Sequence, residues 1–301
     1  MLTRTTILIT IALLALPTIA QNRAKDIHRW LTTPALPGVA VVAHRGHMAT
    51  EPENSVPAIT SAIAAGAHIV EIDVARTSDG HYVLMHDATL NRTTTGKGKL
   101  TETTLEQLKQ TQLVFGIRPT AHRPPTLAEA FEAARGKVLL NLDPKDLSLP
   151  DAIELARKHD MLDHCVFKQR WDKLDEPARI QLKQLHEKHP ELIFMPIVAS
   201  IEEARAAIAF HRWPALEVVF TDPADRLFTK AGVAELKTLG TRVWVNALLD
   251  GRWSAGLSDR QAVYNPDQVY GRFLDLGYDI IQTDLTELLV PVIHRRGQLL
   301  N

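Results

Sequence analysis

The sequence predicts a closed (β/α)8 barrel of the TIM type. Three observations predict it. Short β-branched or apolar runs alternate with helical patterns from Val39 onward, the order expected of repeated β-α units around a parallel sheet. Eight such runs can be counted, at 39–43, 69–74, 138–142, 165–168, 192–198, 217–221, 242–246 and 279–283. No glycine-rich dinucleotide loop follows the first run, which argues against an open doubly wound sheet.

Between the runs lie helical stretches such as 56–65, 127–134, 151–159 and 201–209. A further short strand is expected over 81–86, folded back on the second through the Ser78-Asp79-Gly80 turn. Two connections exceed ordinary barrel loops, 88–126 and 250–272, and long loops in a compact domain are usually functional.

The 301 residues suit one such barrel, and a hydrophobic fraction of 45% supplies a large core. A formal net charge of −1 gives no basic excess for a nucleic-acid partner. Any anionic ligand is therefore small and locally bound. The lone cysteine, Cys165, sits in an apolar run and reads as a buried strand residue, not a nucleophile.

Residues 1–20 read as a signal peptide. Arg4 gives a positive start, 7–16 is almost unbroken apolar chain, Pro17 ends it, and Thr18-Ile19-Ala20 offers small residues at a cleavage point. The apolar run is shorter than the roughly 20 residues a spanning helix needs. The expected protein is exported, periplasmic or secreted, begins at Gln21 as one barrel domain over 21–301, and carries no stable membrane anchor.

Chemistry in such a barrel belongs at the C-terminal ends of the strands. The first strand ends in His44-Arg45-Gly46, a proton carrier beside a phosphate-gripping cation. In the second, a period of two puts Val70, Ile72 and Val74 toward the helices and Glu71 with Asp73 toward the barrel interior. Two carboxylates on one inner face call for a divalent cation between them, or for Arg or Lys from neighbouring strands. The third strand ends Asn141-Leu142-Asp143-Pro144-Lys145. Asp143 completes a three-carboxylate oxygen site, Lys145 offers a point charge to phosphate, and Asn141 one layer deeper makes a core hydrogen bond. His86 follows the hairpin and pairs with His44 as a second proton carrier. Asp284, at the end of the last strand, is expected to hydrogen-bond the first strand's loop, a structural duty. His28, His47, His159, His186, His189 and His211 have no metal-ligand spacing and read mostly as surface or loop residues.

In order, His44-Arg45-Gly46, Pro52-Glu53-Asn54-Ser55, Glu71-Ile72-Asp73-Val74, Asp79-Gly80, His86-Asp87, Thr89-Leu90-Asn91-Arg92-Thr93-Thr94, Gly96-Lys97-Gly98, Pro125-Thr126-Leu127, Val243-Trp244-Val245-Asn246 and Gln282-Thr283-Asp284 resemble the motifs of the glycerophosphodiester phosphodiesterase family. The resemblance implies hydrolysis of glycerophosphodiesters to sn-glycerol 3-phosphate and an alcohol. It further implies His44 and His86 as the catalytic pair, Arg45 on the phosphate, Ca²⁺ or Mg²⁺ held by Glu71, Asp73 and the residue at Asp143, and Trp244 near the glycerol end. The segment 88–126 resembles the family's insertion, which covers one side of the pocket.

There are two departures. The family usually has glutamate where Asp143 stands. Its fourth strand usually ends in a serine-phenylalanine pair, whereas Phe167-Lys168-Gln169 places Lys168 near the pocket mouth, as an extra phosphate or acidic-substrate contact or as a surface lysine. The competing expectations are a lipid phosphodiesterase of the same superfamily, which Asp143 favours and the insertion disfavours, and a catalytically inert phosphate-binding barrel.

Overall fold

The computed structural model describes residues 22–300; residues 1–21, on which the signal-peptide expectation falls, lie outside the described residues. The strands in chain order are β1 (Ala40–Ala43), β2 (Ile69–Arg76), β3 (Tyr82–Leu84), β4 (Val114–Phe115), β5 (Arg118–Pro119), β6 (Leu139–Pro144), β7 (Cys165–Arg170), β8 (Ile193–Val198), β9 (Ala215–Val218), β10 (Arg242–Asn246) and β11 (Ile280–Thr283). Strands β1, β2 and β6 through β11 pair in parallel around a ring, and β11 pairs back onto β1 with Val41 opposite Ile281. The sheet therefore has no open parallel edge, and the expected eight-stranded barrel is the fold.

Strand parity sorts the side chains as expected. Val70, Ile72 and Val74 pack in the layer between strands and helices, while Glu71 and Asp73 share the inner face of β2 with Ile69. Cys165 is buried. The sixth run begins earlier than expected, at Ala215, because Arg242 N–H donates to Pro214 O and fixes the start of the ladder there. Its far end leaves the barrel: Phe220 N–H donates to Trp253 O, and Phe220 O accepts from Ala255.

An element the sequence reading passed over closes the bottom of the barrel. The helix Arg23–Thr32 puts Ala24, Ile27, Trp30 and Leu31 at helical spacing onto Val42, Ile69, Leu139 and Ile193 inside the barrel floor. Fully burying side chains of this size stabilises by roughly 1.5–3 kcal/mol each. Arg242, itself buried, holds the plug in place. Its guanidinium donates to the carbonyls of Trp30, Thr33 and Leu36 at 2.7–3.0 Å and stacks 3.5 Å from the Trp30 ring, so a cation sits on the carbonyl end of the helix and on the turn that follows it.

At the other end, β3 folds back antiparallel on β2, with Val74 opposite Leu84. Gly80 takes the left-handed conformation this turn requires, φ +87°. The segment after it builds a small core of its own from Val83, Met85, Leu90, Leu100 and Leu108. Asp79 anchors this segment by accepting from Leu105 N–H at 3.0 Å. No helix among the described residues is long and apolar enough to cross a membrane.

Candidate active site

The chain turns sharply where β1 ends. Arg45 takes φ +53° and Gly46 φ +81°, and a Cβ on Gly46 would lie 2.6 Å from Ala58 Cβ, so glycine is required there. The loop that follows returns to β2. Asn54, also left-handed, donates from Nδ2 to Asp73 Oδ2 at 2.6 Å and accepts from Asp73 N–H at 2.9 Å, while its own N–H donates to Arg45 O. Arg45 N–H donates to Glu71 Oε2 at 2.9 Å. The histidine-arginine turn and the two acidic residues of β2 are thus one bonded unit.

Glu71, Asp73 and Asp143 come together as the sequence suggested: one carboxylate oxygen from each lies within 4.8 Å of the others. Asp73 and Asp143 face each other in the β2–β6 register. Burial and the neighbouring Asp73 charge raise the Glu71 pKa to about 7. Cations from the protein answer that acidic face. Lys145 Nζ stands between Asp73 Oδ1, 2.7 Å, and Asp143 Oδ2, 2.8 Å, and Arg45 Nε lies 3.3 Å from Asp73 Oδ2. Burial disfavours the Lys145 charge, but the two carboxylates outweigh it and its pKa is raised. The cluster offers only hard oxygen donors already arranged around positive charge, which is the donor set Ca²⁺ and Mg²⁺ take, and these residues fit such an ion. Arg45 Nε is buried and makes no aligned hydrogen bond, its nearest acceptor being the paired Asp73 carboxylate.

Each histidine is oriented by an aspartate. His44 Nδ1–H donates to Asp284 Oδ1 at 2.6 Å, and its Nε2 lies 3.8 Å from Glu71 Oε2. Burial lowers the His44 pKa, but the Asp284 bond and the Glu71 and Asp284 charges prevail and leave it raised. Asp284 is held in turn by Leu249 N–H on its second oxygen, and its backbone N–H donates to buried Asp259. Asp259 also accepts from Tyr270 and Thr283 hydroxyls. His86 Nδ1–H donates to Asp87 at 2.8 Å. Arg92 forks onto Asp87 and onto Glu53, and Glu53 also takes Arg45 Nη1 at 3.0 Å, so a chain of alternating charges joins the Arg45 and His86 sides of the mouth. The Arg92 bonds hold Asp87 well below the usual carboxylate range.

Two expected contacts sit deeper than the sequence suggested. β7 continues to Arg170, which places Lys168 below the mouth but within the centre: it is partly exposed, its charge acts on Glu71, and Nζ lies 2.7 Å from Glu217 Oε2 and 4.7 Å from the Trp244 centroid. Trp244 is fully buried beneath it, its indole N–H donating to Asn246. A side chain with no exposed surface touches no ligand in this conformation, so Trp244 forms the floor under Lys168 and not a wall of the pocket. Asp284 bonds the first strand's loop as expected, through the ring of His44, the first residue after β1. Of the histidines read as peripheral, His186 and His211 hydrogen-bond each other at 2.9 Å beside Trp213, and His47 bridges Ser61 and Glu287, both away from the acidic cluster. Asn141 makes its core bond, to Val166 O. Asn54, Asp87 and Arg92 stand in motifs quoted from the sequence but were given no role there, and Asp259 was not singled out at all.

Fold and site together define a (β/α)8 barrel with an acidic, two-histidine centre on the C-terminal face of its strands. The sequence model of the glycerophosphoryl diester phosphodiesterase family matches residues 44–245. The chain belongs to that family. It is 42% identical over 108 residues to a glycerophosphodiester phosphodiesterase of Caldanaerobacter subterraneus, a stretch covering 35% of this chain and 44% of that one. Against glycerophosphodiester phosphodiesterase 1 of mouse it is 41% identical over 112 residues, 36% of this chain and 34% of that one. The chain therefore spans less than half the length of these curated relatives. Among solved structures, a glycerophosphoryl diester phosphodiesterase of Parabacteroides distasonis superposes with TM-score 0.73 at 23% identity, covering 91% of this chain and 92% of that one. An Oleispira antarctica phosphodiesterase in complex with the product sn-glycerol-3-phosphate superposes with TM-score 0.62 at 23% identity, covering 85% and 97%.

Proposed function

We propose that the protein hydrolyses glycerophosphodiesters to sn-glycerol 3-phosphate and an alcohol. The observation that carries this is a three-carboxylate cluster to which two histidine–aspartate couples are joined, His44–Asp284 directly beside Glu71 and His86–Asp87 through the Arg92–Glu53–Arg45 chain. Each couple fixes Nδ1 and leaves Nε2 to move a proton. Glu71, Asp73 and Asp143 would hold a Ca²⁺ or Mg²⁺ ion, which when bound would supply charge stabilisation for the phosphate. Arg45 and Lys145, the two cations against Asp73, take non-bridging phosphate oxygens.

In the first step one histidine takes the proton of the glycerol 2-hydroxyl as its oxygen bonds to phosphorus. The other gives a proton to the departing alcohol oxygen as that P–O bond breaks. The product of this step is a cyclic glycerol phosphate, favoured by the large effective molarity of a neighbouring hydroxyl. Water then opens the ring with the histidine roles exchanged. Lys168 and Glu217 form a neutralised pair on the pocket floor and carry no proton in this scheme.

The test is release of sn-glycerol 3-phosphate from a panel of glycerophosphodiesters beside intact phospholipids. Turnover of the deacylated diesters is expected; turnover of intact lipid alone would reassign the enzyme to the lipid phosphodiesterases. Export is part of the same proposal, and mass spectrometry of the secreted or periplasmic species should give Gln21 as first residue.

A further inference from the structure

Among the described residues, the large apolar side chains left exposed are Phe115, Ile117, Ile180, Leu249, Trp253, Val263 and Tyr264. All but Ile180 belong to two loops at the C-terminal face of the barrel. Phe115 and Ile117 form the tip of the β4–β5 hairpin, and a cavity of about 200 Å³ places Phe115 against Glu53 and Arg92 of the charge chain at the mouth. Leu249 N–H donates to the aspartate that holds His44, and Trp253, Val263 and Tyr264 lie on the same loop, pinned at Asp259 to the end of β11. Around the ring the order is β3-β2-β1-β11-β10, so the segment after β3 and the loop after β10 stand on opposite sides of the His44-Arg45 turn. Ile117 is 95% and Tyr264 89% exposed, so neither contributes to a core or to the site. Exposed apolar residues scattered singly call for no explanation; their confinement to one rim does.

We infer that this rim docks the protein onto the surface of a phospholipid bilayer, so that the site opens onto phosphodiesters presented at headgroup level. The composition fits a membrane interface. Three of the six side chains are aromatic with an apolar body, two of them, Trp253 and Tyr264, also bearing a polar edge, as in the aromatic belts of membrane proteins. Exposed Arg118 follows Ile117 directly and can meet anionic headgroups, while the Arg252 guanidinium, 5.9 Å from the Trp253 ring, shares its charge with exposed Asp250 at 4.0 Å. The apolar groups sit on separate loops around an opening and do not fill a groove, which suits a fluid surface better than a partner helix. The inference rests on the phosphodiesterase proposal only for what the opening would meet there.

The experiment is binding of the full chain to vesicles of phosphatidylcholine and phosphatidylglycerol carrying a brominated-chain phosphatidylcholine. Trp30, Trp171, Trp213 and Trp244 are buried, so quenching of tryptophan emission by the lipid-borne bromine reports Trp253. The wild type is expected to bind, more weakly without phosphatidylglycerol or at high salt, and to show quenching. The I117S/Y264S variant is expected to lose on the order of tenfold in vesicle affinity together with the quenching, while its turnover of a water-soluble glycerophosphodiester is unchanged. Both chains share residues 1–21, so the difference between them reads the rim alone. Equal quenching in wild type and variant, or none in either, would overturn the inference. So would a wild-type dimer in sedimentation that the variant loses, since the rim would then belong to a second copy. Binding is read without turnover, so its failure is distinct from failure of the proposed activity.

Discussion

His44 and Asp284 stand 2.6 Å apart although they are 240 residues apart in sequence, and the barrel's closure, β11 on β1, is what brings them together. The bond fixes the His44 ring with Nε2 toward the acidic cluster and supports its positive form. Asp284→Asn keeps a hydrogen-bonding group and removes the charge. Turnover should fall by about 10²-fold or more. The pH–rate limb governed by His44 should move to lower pH, because the charge that raised its pKa is gone. A pH–rate profile of the variant checks this; an unshifted limb would leave Asp284 a purely structural partner.

Glu71 holds its proton to about pH 7 in the absence of a cation, because burial and Asp73 both disfavour its charge. Metal binding must expel that proton. Divalent-ion affinity should therefore fall as pH drops below 7, by up to about tenfold per unit. Calorimetry in buffers of different ionisation enthalpy should count close to one proton released at pH 6, and Glu71→Gln should abolish the release. Buffer-independent enthalpies from pH 6 to 8 would contradict this.

Much of the centre was legible because it obeys local rules. A period of two along β2 is enough to aim Glu71 and Asp73 inward, and Pro144 marks the end of β6 at Asp143. What escaped depends on register and closure. Lys168 was placed at the mouth because the composition of 165–168 suggested a strand stopping there, whereas pairing with β8, Lys168 opposite Met195 and Arg170 opposite Ile197, carries the strand onward and Lys168 inside. The plugging helix was written in the spacing of Ala24, Ile27 and Leu31, but its value appears only with Arg242, far along the chain, capping it. Asp259 reaches the centre through a backbone N–H, which no side-chain motif announces.

His68, buried under the barrel floor, accepts from Val41 N–H at Nδ1 and donates from Nε2–H to Leu300 O, an arrangement open only to neutral imidazole. Burial chiefly, with Arg23 nearby, lowers its pKa from 6.5 to about 4. A lowered folded-state value means that its stabilisation is complete above about pH 6.5 and is lost as pH falls toward 4, to a total of up to about 3 kcal/mol. In urea unfolding, the stability gap between wild type and His68→Asn should be widest at pH 7 and shrink toward pH 4. A gap independent of pH would show that His68 titrates alike in the folded and unfolded chain.

A cyclic intermediate needs the glycerol 2-hydroxyl. A 2-deoxyglycerol diester should be nearly inert at saturation, while diesters with different leaving alcohols should be cut at comparable rates. Equal turnover of the deoxy and parent substrates would mean that water attacks phosphorus directly.

On the proposed function, Glu71, Asp73 and Asp143 hold a divalent ion with which this protein releases sn-glycerol 3-phosphate from a phosphodiester. This is tested most directly by assaying that product from glycerophosphocholine with protein stripped by chelator, then after adding back Ca²⁺ or Mg²⁺. The stripped protein should be inactive, one of the two ions should restore turnover, and Glu71→Gln should stay inactive with either. Full release of sn-glycerol 3-phosphate by protein with metal confirmed absent would contradict the claim.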